Sequence, residues 1–402
     1  MAHLHPFKPW RPGSNNVEEV ACVPYDVINV AEARQLAAGN PNSFLHVIRP
    51  EVDLPEGTDP HADEVYIMGA NTLSTFFSKQ VLKQDKKPGI YIYRLIHNDR
   101  SQTGIFACAS VADYDNEIIL KHELTRPAKE DDRTRHILSQ QAHAEPVMLT
   151  YKDQEQLQQL IDQKTEEEPL YDFVAPDGVA HQLWKAEHTQ PFVENFKQLE
   201  HLYIADGHHR CKSASRAAEE KKRENEKHTG REEYNFFPAV LFPMSNMHIM
   251  AYNRVIHNAP STFLEQLNES FDLKPDARPE PSQKGDLSVY IDGTWYGMHL
   301  PMDPNPTSVE QLDVHRLKHF ILDPMLDITD PRRDENISFV GGIRGTQGLE
   351  KLVNSGKADI AISMYPTGIE ELVEVSDEGR LMPPKSTWFE PKLRSGLLVH
   401  TF

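Results

Sequence analysis

Asp206, Gly207, His208, His209 and Arg210 place one carboxylate, one glycine, two imidazoles and one guanidinium in five consecutive positions. They follow Leu202-Tyr203-Ile204-Ala205, an apolar run that reads as a buried strand, and precede residues 211–220, which read as a helix. A strand-to-helix turn of this composition suits phosphate. A helix N-terminus offers backbone N–H groups without intrahelical partners and a partial positive charge. The histidines and the arginine add donors, and a guanidinium can grip two oxygens at once. Gly207 lets the backbone approach a ligand or adopt positive φ. A plain helix cap would account for Asp206, but it calls for no His-His-Arg behind it.

Two further patches carry chemistry. In His122-Glu123-Leu124-Thr125-Arg126-Pro127-Ala128-Lys129-Glu130-Asp131-Asp132-Arg133 a carboxylate is flanked by His, Arg and Lys. Glu123 can act as a general base if it is aimed at a hydroxyl, and a charged helix start capped by Thr125 accounts for the same residues. In Pro384-Lys385-Ser386-Thr387 a lysine and two hydroxyls can hold a phosphate. The upstream glycines of a P-loop are missing there, and an exposed loop explains the segment as well. A base, a phosphate cradle and a lysine clamp are the parts of phosphoryl transfer, which needs positioning and charge neutralisation in a dry site. A Mg²⁺ ion bridging nucleotide phosphates would need only one or two carboxylates, such as Asp206. Tyr25 and Asp26, in Val23-Pro24-Tyr25-Asp26, are candidate acceptor contacts, although the same residues make a sound turn. Cys211 stands in the first turn after the motif, where a thiol pKa can be lowered. Packing as a small buried residue is the simpler role.

The elements that must position these groups follow from periodicity. Asn29 caps a short helix running to Ala38 and ended by Gly39. Residues 61–82 form a helix. Residues 90–96 and 103–111 are strands of a hairpin that turns at 98–101. Residues 126–142 form a polar helix, 146–151 a strand, 153–168 an exposed helix and 192–199 a short one. After the motif helix, 211–227, come strands at 236–244 and 247–252 and a proline-rich loop at 275–284. A hairpin over 287–300 turns at Asp292-Gly293; a helix at 307–320, a strand at 358–364 and a short helix at 366–374 follow. Strands and helices alternate without the regular spacing of a doubly wound sheet. The expected class is α+β, with mixed sheets and flanking helices.

Composition narrows the function. With 402 residues, 39% hydrophobic and 26% charged, the chain suits a soluble globular protein of two or three domains. A net charge of -19 repels a nucleic-acid backbone. The one basic run, Lys221-Lys222-Arg223, sits among Glu219, Glu220, Glu224 and Glu226 and reads as a solvated helix end. Three cysteines without a CxxC pair argue against a disulfide framework and favour a reducing cytoplasm. No signal-peptide pattern opens the chain, and no apolar run approaches the roughly 20 residues that span a bilayer. The 20 histidines are scattered, without HExxH-type zinc spacing.

An apolar strand, then Asp-Gly-His-His-Arg, then a helix resembles the archaeal free serine kinases of the ParB/sulfiredoxin-like superfamily. Members of that superfamily bind nucleotide phosphates with a short Gly-containing, Arg-ending motif at the same turn. The resemblance extends to His122-Glu123, which matches the pair bearing the kinase's catalytic glutamate, and to Ala358-Asp359-Ile360-Ala361-Ile362 and Pro384-Lys385-Ser386-Thr387, in the same order. The whole chain also resembles a longer, mostly uncharacterised prokaryotic family through Pro24-Tyr25-Asp26-Val27-Ile28, Phe44-Leu45-His46-Val47 and Tyr203 to Arg210. The kinase is much shorter, so residues 1–115 have no counterpart in it, and the interval from Glu123 to Asp206 is longer here. His208 and His209 stand where sulfiredoxin carries its catalytic cysteine. ParB uses CTP and clamps DNA, which the acidic charge disfavours.

The resemblance implies an N-terminal α/β region at 1–115, a ParB/sulfiredoxin-like nucleotide-binding core at 116–245, and a C-terminal α/β region at 246–402 that returns Lys385, Ser386 and Thr387 to the site. It implies a cytoplasmic kinase that uses ATP or ADP with Mg²⁺ and converts L-serine to O-phosphoserine, with no nucleic-acid or membrane partner. Glu123 would be the base. Asp206 would hold Mg²⁺ or orient the acceptor. Gly207, His208, His209 and Arg210 would hold the transferring phosphate, and Lys385, Ser386 and Thr387 the donor phosphates. Two other readings fit the same turn: a nucleotide-binding switch or slow nucleotide hydrolase without a small-molecule acceptor, and an interaction protein whose motif no longer does chemistry.

Overall fold

The computed structural model describes residues 1–402. The chain is α+β and forms two units, one of Met1–Lys121, Thr125–Met247 and Pro391–Phe402, the other of His122–Leu124 and His248–Glu390. No helix is long and apolar enough to cross a membrane.

The first unit is built on a mixed nine-stranded sheet. Across it run Ile119–Leu120, Leu202–Asp206, Val147–Tyr151, Phe236–Pro243, Arg100–Ser110, Ile90–His97, Ala180–Ala186 and Tyr171–Val174, with Leu4–His5 beside Arg100–Ser110. Leu202–Asp206 pairs parallel with Ile119–Leu120, and Phe236–Pro243 parallel with Val147–Tyr151; the other pairings are antiparallel. Val147–Tyr151 and Phe236–Pro243 are buried at every position, the mark of strands covered on both faces. The sheet takes strands from both sides of residue 115. Leu149, Leu241, Ile105 and Ile92 pack in one core with Leu157 and Ile161 of the helix Glu155–Thr165, and with Cys211, Ala214 and Ala218 of the motif helix. A second core gathers Phe44 and Val399 against Leu73 and Phe76 of the helix Asp63–Ser78.

The C-terminal segment closes back on this unit. Ser395 bridges to Cys22, Val399 to Trp10, and His400–Thr401 pairs with Ala142–His143. The hairpin near residue 98 is tight, with Asn98 at φ 52, and Asn29 forms a capping box with Glu32 at the start of Val30–Ala37.

The second unit carries a fully antiparallel six-stranded sheet: Lys274–Pro275, Thr294–His299, Asp286–Ile291, Ile360–Met364, Tyr252–Ile256 and Ile337–Gly341. Asp292 and Gly293, at φ 49 and 81, make the two-residue turn that twisted hairpins favour.

Several expectations are corrected. The strand expected at 247–252 divides into Ile249–Met250, paired with Trp388–Phe389, and Tyr252–Ile256. The helix expected from 307 begins at Asp313, because Glu310 accepts the Thr307 N–H at 2.7 Å and closes a separate turn. It then widens over Lys318–Leu322 and ends at Leu326. Thr125 is no cap: Arg126 holds that position over Pro127–Gln140, and the Thr125 hydroxyl donates to Glu130 instead.

Candidate functional site

The strand Leu202–Asp206 carries a bulge immediately before the motif. Tyr203 lies opposite Thr150 and Ile204 opposite Leu149, but Asp206 lies opposite Met148, which leaves Ala205 as the extra residue. In a regular strand Asp206 would share the face of the fully buried Ile204. A bulge re-aims a side chain, and Asp206 is part-exposed at 28%. Gly207 follows at φ 105, the left-handed region, and is the residue before the helix His208–Glu224. A Cβ on Gly207 would stand 3.0 Å from Arg210 Nε and 3.1 Å from Val147 Cγ1. The glycine thus serves both the turn and the close packing of the arginine.

The helix begins at His208 rather than Cys211, so His208, His209 and Arg210 form its first turn. Their backbone N–H groups are the ones a helix leaves without internal partners, apart from any ligand or side chain that meets them. Asp206 lies on the strand and accepts no capping bond. Arg210 reaches back: its Nη2 is 3.5 Å from Asp206 Oδ2, and its Nη1 donates to the Pro146 carbonyl. Lys392 Nζ, from the C-terminal segment, stands 3.4 Å from the same carboxylate oxygen. Burial alone would raise the Asp206 carboxyl; Lys392 and Arg210 outweigh it and hold the group well below the usual carboxylate range. Burial would lower Arg210, but Asp206, Asp26 and Glu145 keep its guanidinium above the ordinary value.

His208 is buried and His209 half-buried. His209 Nε2 accepts the Arg126 N–H at 3.1 Å, which leaves Nδ1 as the protonated nitrogen of a neutral ring. The same neighbouring helix is tied on by Arg216, 3.2 Å from Glu130 and 2.6 Å from Asp131.

Glu145 binds three segments beside Arg210. It accepts the Tyr25 N–H at 3.1 Å and the Ser395 hydroxyl at 3.2 Å, and it lies 3.7 Å from Arg133. Burial pushes its carboxyl up against the pull of Arg210 and Arg133. Arg133 covers the Tyr25 ring at 4.0 Å. Of the two proposed acceptor contacts, Tyr25 is therefore buried under a guanidinium and Asp26 is exposed. A cavity of about 40 Å³ lies here, lined by Arg133, His136, His143, Glu145 and Arg210 together with apolar residues such as Ile137, Val147 and Phe237. Arg210 Nε, His136 Nδ1 and His143 Nε2 are buried without hydrogen-bond partners. With these three polar atoms on its wall the cavity has the partners and the room for ordered water. Cys211 is fully buried, and burial pushes its thiol up to about 12, so it is a packing residue and not an activated thiol.

Residues 384–387 and the first three residues of the His122 patch lie in the second unit. Glu123 belongs to its short piece His122–Leu124, where the His122 carbonyl accepts the Met382 N–H at 2.8 Å. Lys385 is exposed at φ 58, with its ammonium 5.4 Å from the centre of the Tyr252 ring. Ser386 is buried, and its hydroxyl donates to the Pro383 carbonyl at 2.6 Å; Thr387 is half-buried. Arg254 holds the Lys385 carbonyl at 3.0 Å.

Lys392, Glu145 and Arg254 escape sequence reasoning, while Arg133, the last residue of the His122 patch, stands over Tyr25 and beside Glu145. Arg254 alone leaves a signal, as a single charge inside the apolar run Tyr252–Ile256. Lys392 reaches Asp206 only through the return of the C-terminus.

The chain belongs to a family described as a protein of unknown function, DUF1015, whose model matches residues 4–315. No curated protein matches. Among solved structures it is similar to a free serine kinase in complex with AMP, at 11% identity and a TM-score of 0.37, covering 73% of this chain and 91% of that one. A conserved hypothetical protein from Pyrococcus furiosus is 13% identical with a TM-score of 0.36, covering 75% and 98%. SbnI from Staphylococcus aureus, with a C-terminal truncation, is 12% identical with a TM-score of 0.38, covering 73% and 87%.

Proposed function

We propose that this protein is a small-molecule kinase that transfers a phosphoryl group from ATP or ADP to a hydroxyl, with free L-serine as acceptor and O-phosphoserine as product. The observation that carries the reading is the Asp206–Arg210 turn. A bulged strand and a positive-φ glycine put one part-exposed carboxylate, two imidazoles and two cations, Arg210 and Lys392, at the start of a 17-residue helix. Such a turn serves an anionic group that must be gripped and neutralised. The acceptor, the role of Glu123 and the ParB/sulfiredoxin-like core rest on the motif resemblance.

The backbone N–H groups of His208 and His209, with His209 Nδ1–H, hold the transferring phosphate, and Arg210 supplies charge beneath it. Glu123 takes the proton of the acceptor hydroxyl as its oxygen bonds to phosphorus and the P–O bond to the leaving nucleotide breaks. Lys385, Ser386 and Thr387 hold the donor phosphates. Asp206, whose Oδ2 meets Lys392 and Arg210, would hold a Mg²⁺ ion. The ion would supply positive charge that offsets the charge of the phosphates.

The test incubates purified protein with ATP or ADP, Mg²⁺ and L-serine and detects O-phosphoserine by mass spectrometry. Glu123→Gln should lose about 10²–10⁴-fold in turnover while still binding nucleotide, and Asp206→Ala should abolish product. Bound nucleotide without product would move the reading to a switch or slow hydrolase. Absence of nucleotide binding at millimolar concentration would sink it.

A further inference from the structure

Five arginines of this chain are buried: Arg133, Arg210, Arg254, Arg316 and Arg394. Four of them meet a carboxylate: Arg133 with Asp132, Arg210 with Asp206, Arg316 with Asp313 and Arg394 with Asp177. Arg254 does not. It is 3% exposed, and its Nη1 donates to the Tyr252 carbonyl and its Nη2 to the Lys385 carbonyl. Its guanidinium lies 5.4 Å from the centre of the Phe339 ring. These partners are neutral, and burial pulls the group down to about 10. A buried charge is ordinarily paired, because leaving water is costly. An arginine kept without its carboxylate points to a counter-charge that the protein does not supply.

What Arg254 holds is the turn Pro383 to Thr387. Ser386 Oγ donates to the Pro383 carbonyl at 2.6 Å, and the Thr367 hydroxyl donates to the Ser386 carbonyl at 2.8 Å. With the Arg254 bond to the Lys385 carbonyl, the backbone is fixed on either side of Lys385. Lys385 itself stands in the left-handed region at φ 58, where few residues other than glycine and asparagine settle, and its side chain is exposed. Strain of this kind persists where the surroundings impose it, and it gathers at ligand sites. The turn joins a buried cation to an exposed one, a match for a phosphate dianion better than for a single carboxylate.

We propose that the Pro383–Thr387 turn is an anion site of the second unit whose ligand is a phosphate group, with Lys385 in contact and Arg254 as the positioning residue and buried charge beneath it. The proposal deepens the kinase reading, on which Lys385 meets the donor phosphates, and adds Arg254 to it.

Titration calorimetry on the full chain tests it, with tripolyphosphate, ATP and adenosine as ligands at low and high salt. Tripolyphosphate and ATP should bind and adenosine should not compete with tripolyphosphate. Lys385→Met and Arg254→Met should each weaken tripolyphosphate about tenfold or more, the worth of one charge-assisted hydrogen bond. Both should flatten the salt dependence, a change that a merely structural role would not produce. Arg254→Lys should recover part of the loss. Unchanged tripolyphosphate affinity in Lys385→Met overturns the proposal, even if Arg254→Met fails to fold. If affinity falls in Asp206→Ala and His209→Ala but not in Lys385→Met, the motif reading stands and this one fails. If affinity falls in Lys385→Met and Arg254→Met while the wild type forms no O-phosphoserine, the anion site stands and the kinase reading fails.

Discussion

Lys392 Nζ stands 3.4 Å from Asp206 Oδ2, a contact between residues 186 positions apart in the chain. The segment that delivers the lysine is pinned to the first unit at Ser395, Val399 and His400. Lys392 therefore reaches the motif from a fixed strap. Its charge, with that of Arg210, keeps the carboxylate ionised against the cost of burial.

That relationship fixes a pH dependence. The folded pKa of Asp206 lies below its unfolded value, near 3.9 for an ordinary aspartate. Its contribution to stability is therefore complete above the unfolded pKa and is lost as pH falls through the folded one. Lys392→Met removes one of the two cations and raises the folded value. The acid limb of the melting temperature should move to higher pH in Lys392→Met and flatten in Asp206→Asn. Melting curves at a series of pH values check this, and superimposable acid limbs for Lys392→Met and wild type would refute the coupling.

Gly207→Ala should damage both stability and phosphate binding. Alanine at φ 105 is strained, and its Cβ would press on Arg210 Nε and Val147 Cγ1 at 3.0 and 3.1 Å. A cost of about 1–3 kcal/mol in chemical denaturation is expected. Gly207→Asn separates the two causes, since asparagine tolerates positive φ better but keeps the Cβ. If displacement of Arg210 matters, Gly207→Asn should recover stability in part while nucleotide affinity stays low. Full binding in both variants would show that the close approach is not needed.

The elements nearest the motif were legible because each carried a local signal. Leu202–Asp206 is an apolar run bounded by polar residues, and the hairpin about Asn98 couples two β-rich segments through a turn. Tyr171–Val174 and Ala180–Ala186 left a weaker trace. These two strands lie at one end of the sheet, and polar residues such as Asp172, Gln182 and Lys185 interrupt their apolar pattern. The motif helix starts three residues earlier than its composition suggested, because a glycine at φ 105 is a start signal visible only in the backbone. The side chains around Arg210 were beyond reach for a different reason. Glu145 meets Tyr25 and Ser395 across 120 and 250 residues, and no local pattern encodes such meetings.

His181 offers a second pH dependence away from the motif. Arg394 Nε–H donates to His181 Nε2 at 3.1 Å, so Nε2 is the acceptor and the ring proton sits on Nδ1, 2.8 Å from the Tyr93 hydroxyl. Burial and then Arg394 lower its pKa to about 3, while Asp177, itself paired with Arg394, opposes the shift. The folded state thus holds His181 neutral where the unfolded chain takes up a proton. The stability tied to this ring is complete above the unfolded pKa of about 6.5 and drains away as pH falls toward the folded value, by roughly 1.4 kcal/mol per pH unit. His181→Gln keeps an acceptor for Arg394 and a donor for Tyr93 but cannot titrate. At neutral pH it should be less stable than wild type by about 1–2 kcal/mol, from imperfect hydrogen bonds. Between pH 6 and 4 its stability should fall less steeply, by the slope of one proton. Urea unfolding across that range measures both quantities. Parallel stability curves for the two proteins would show that His181 titrates normally in the folded state, against the tautomer that its two hydrogen bonds impose.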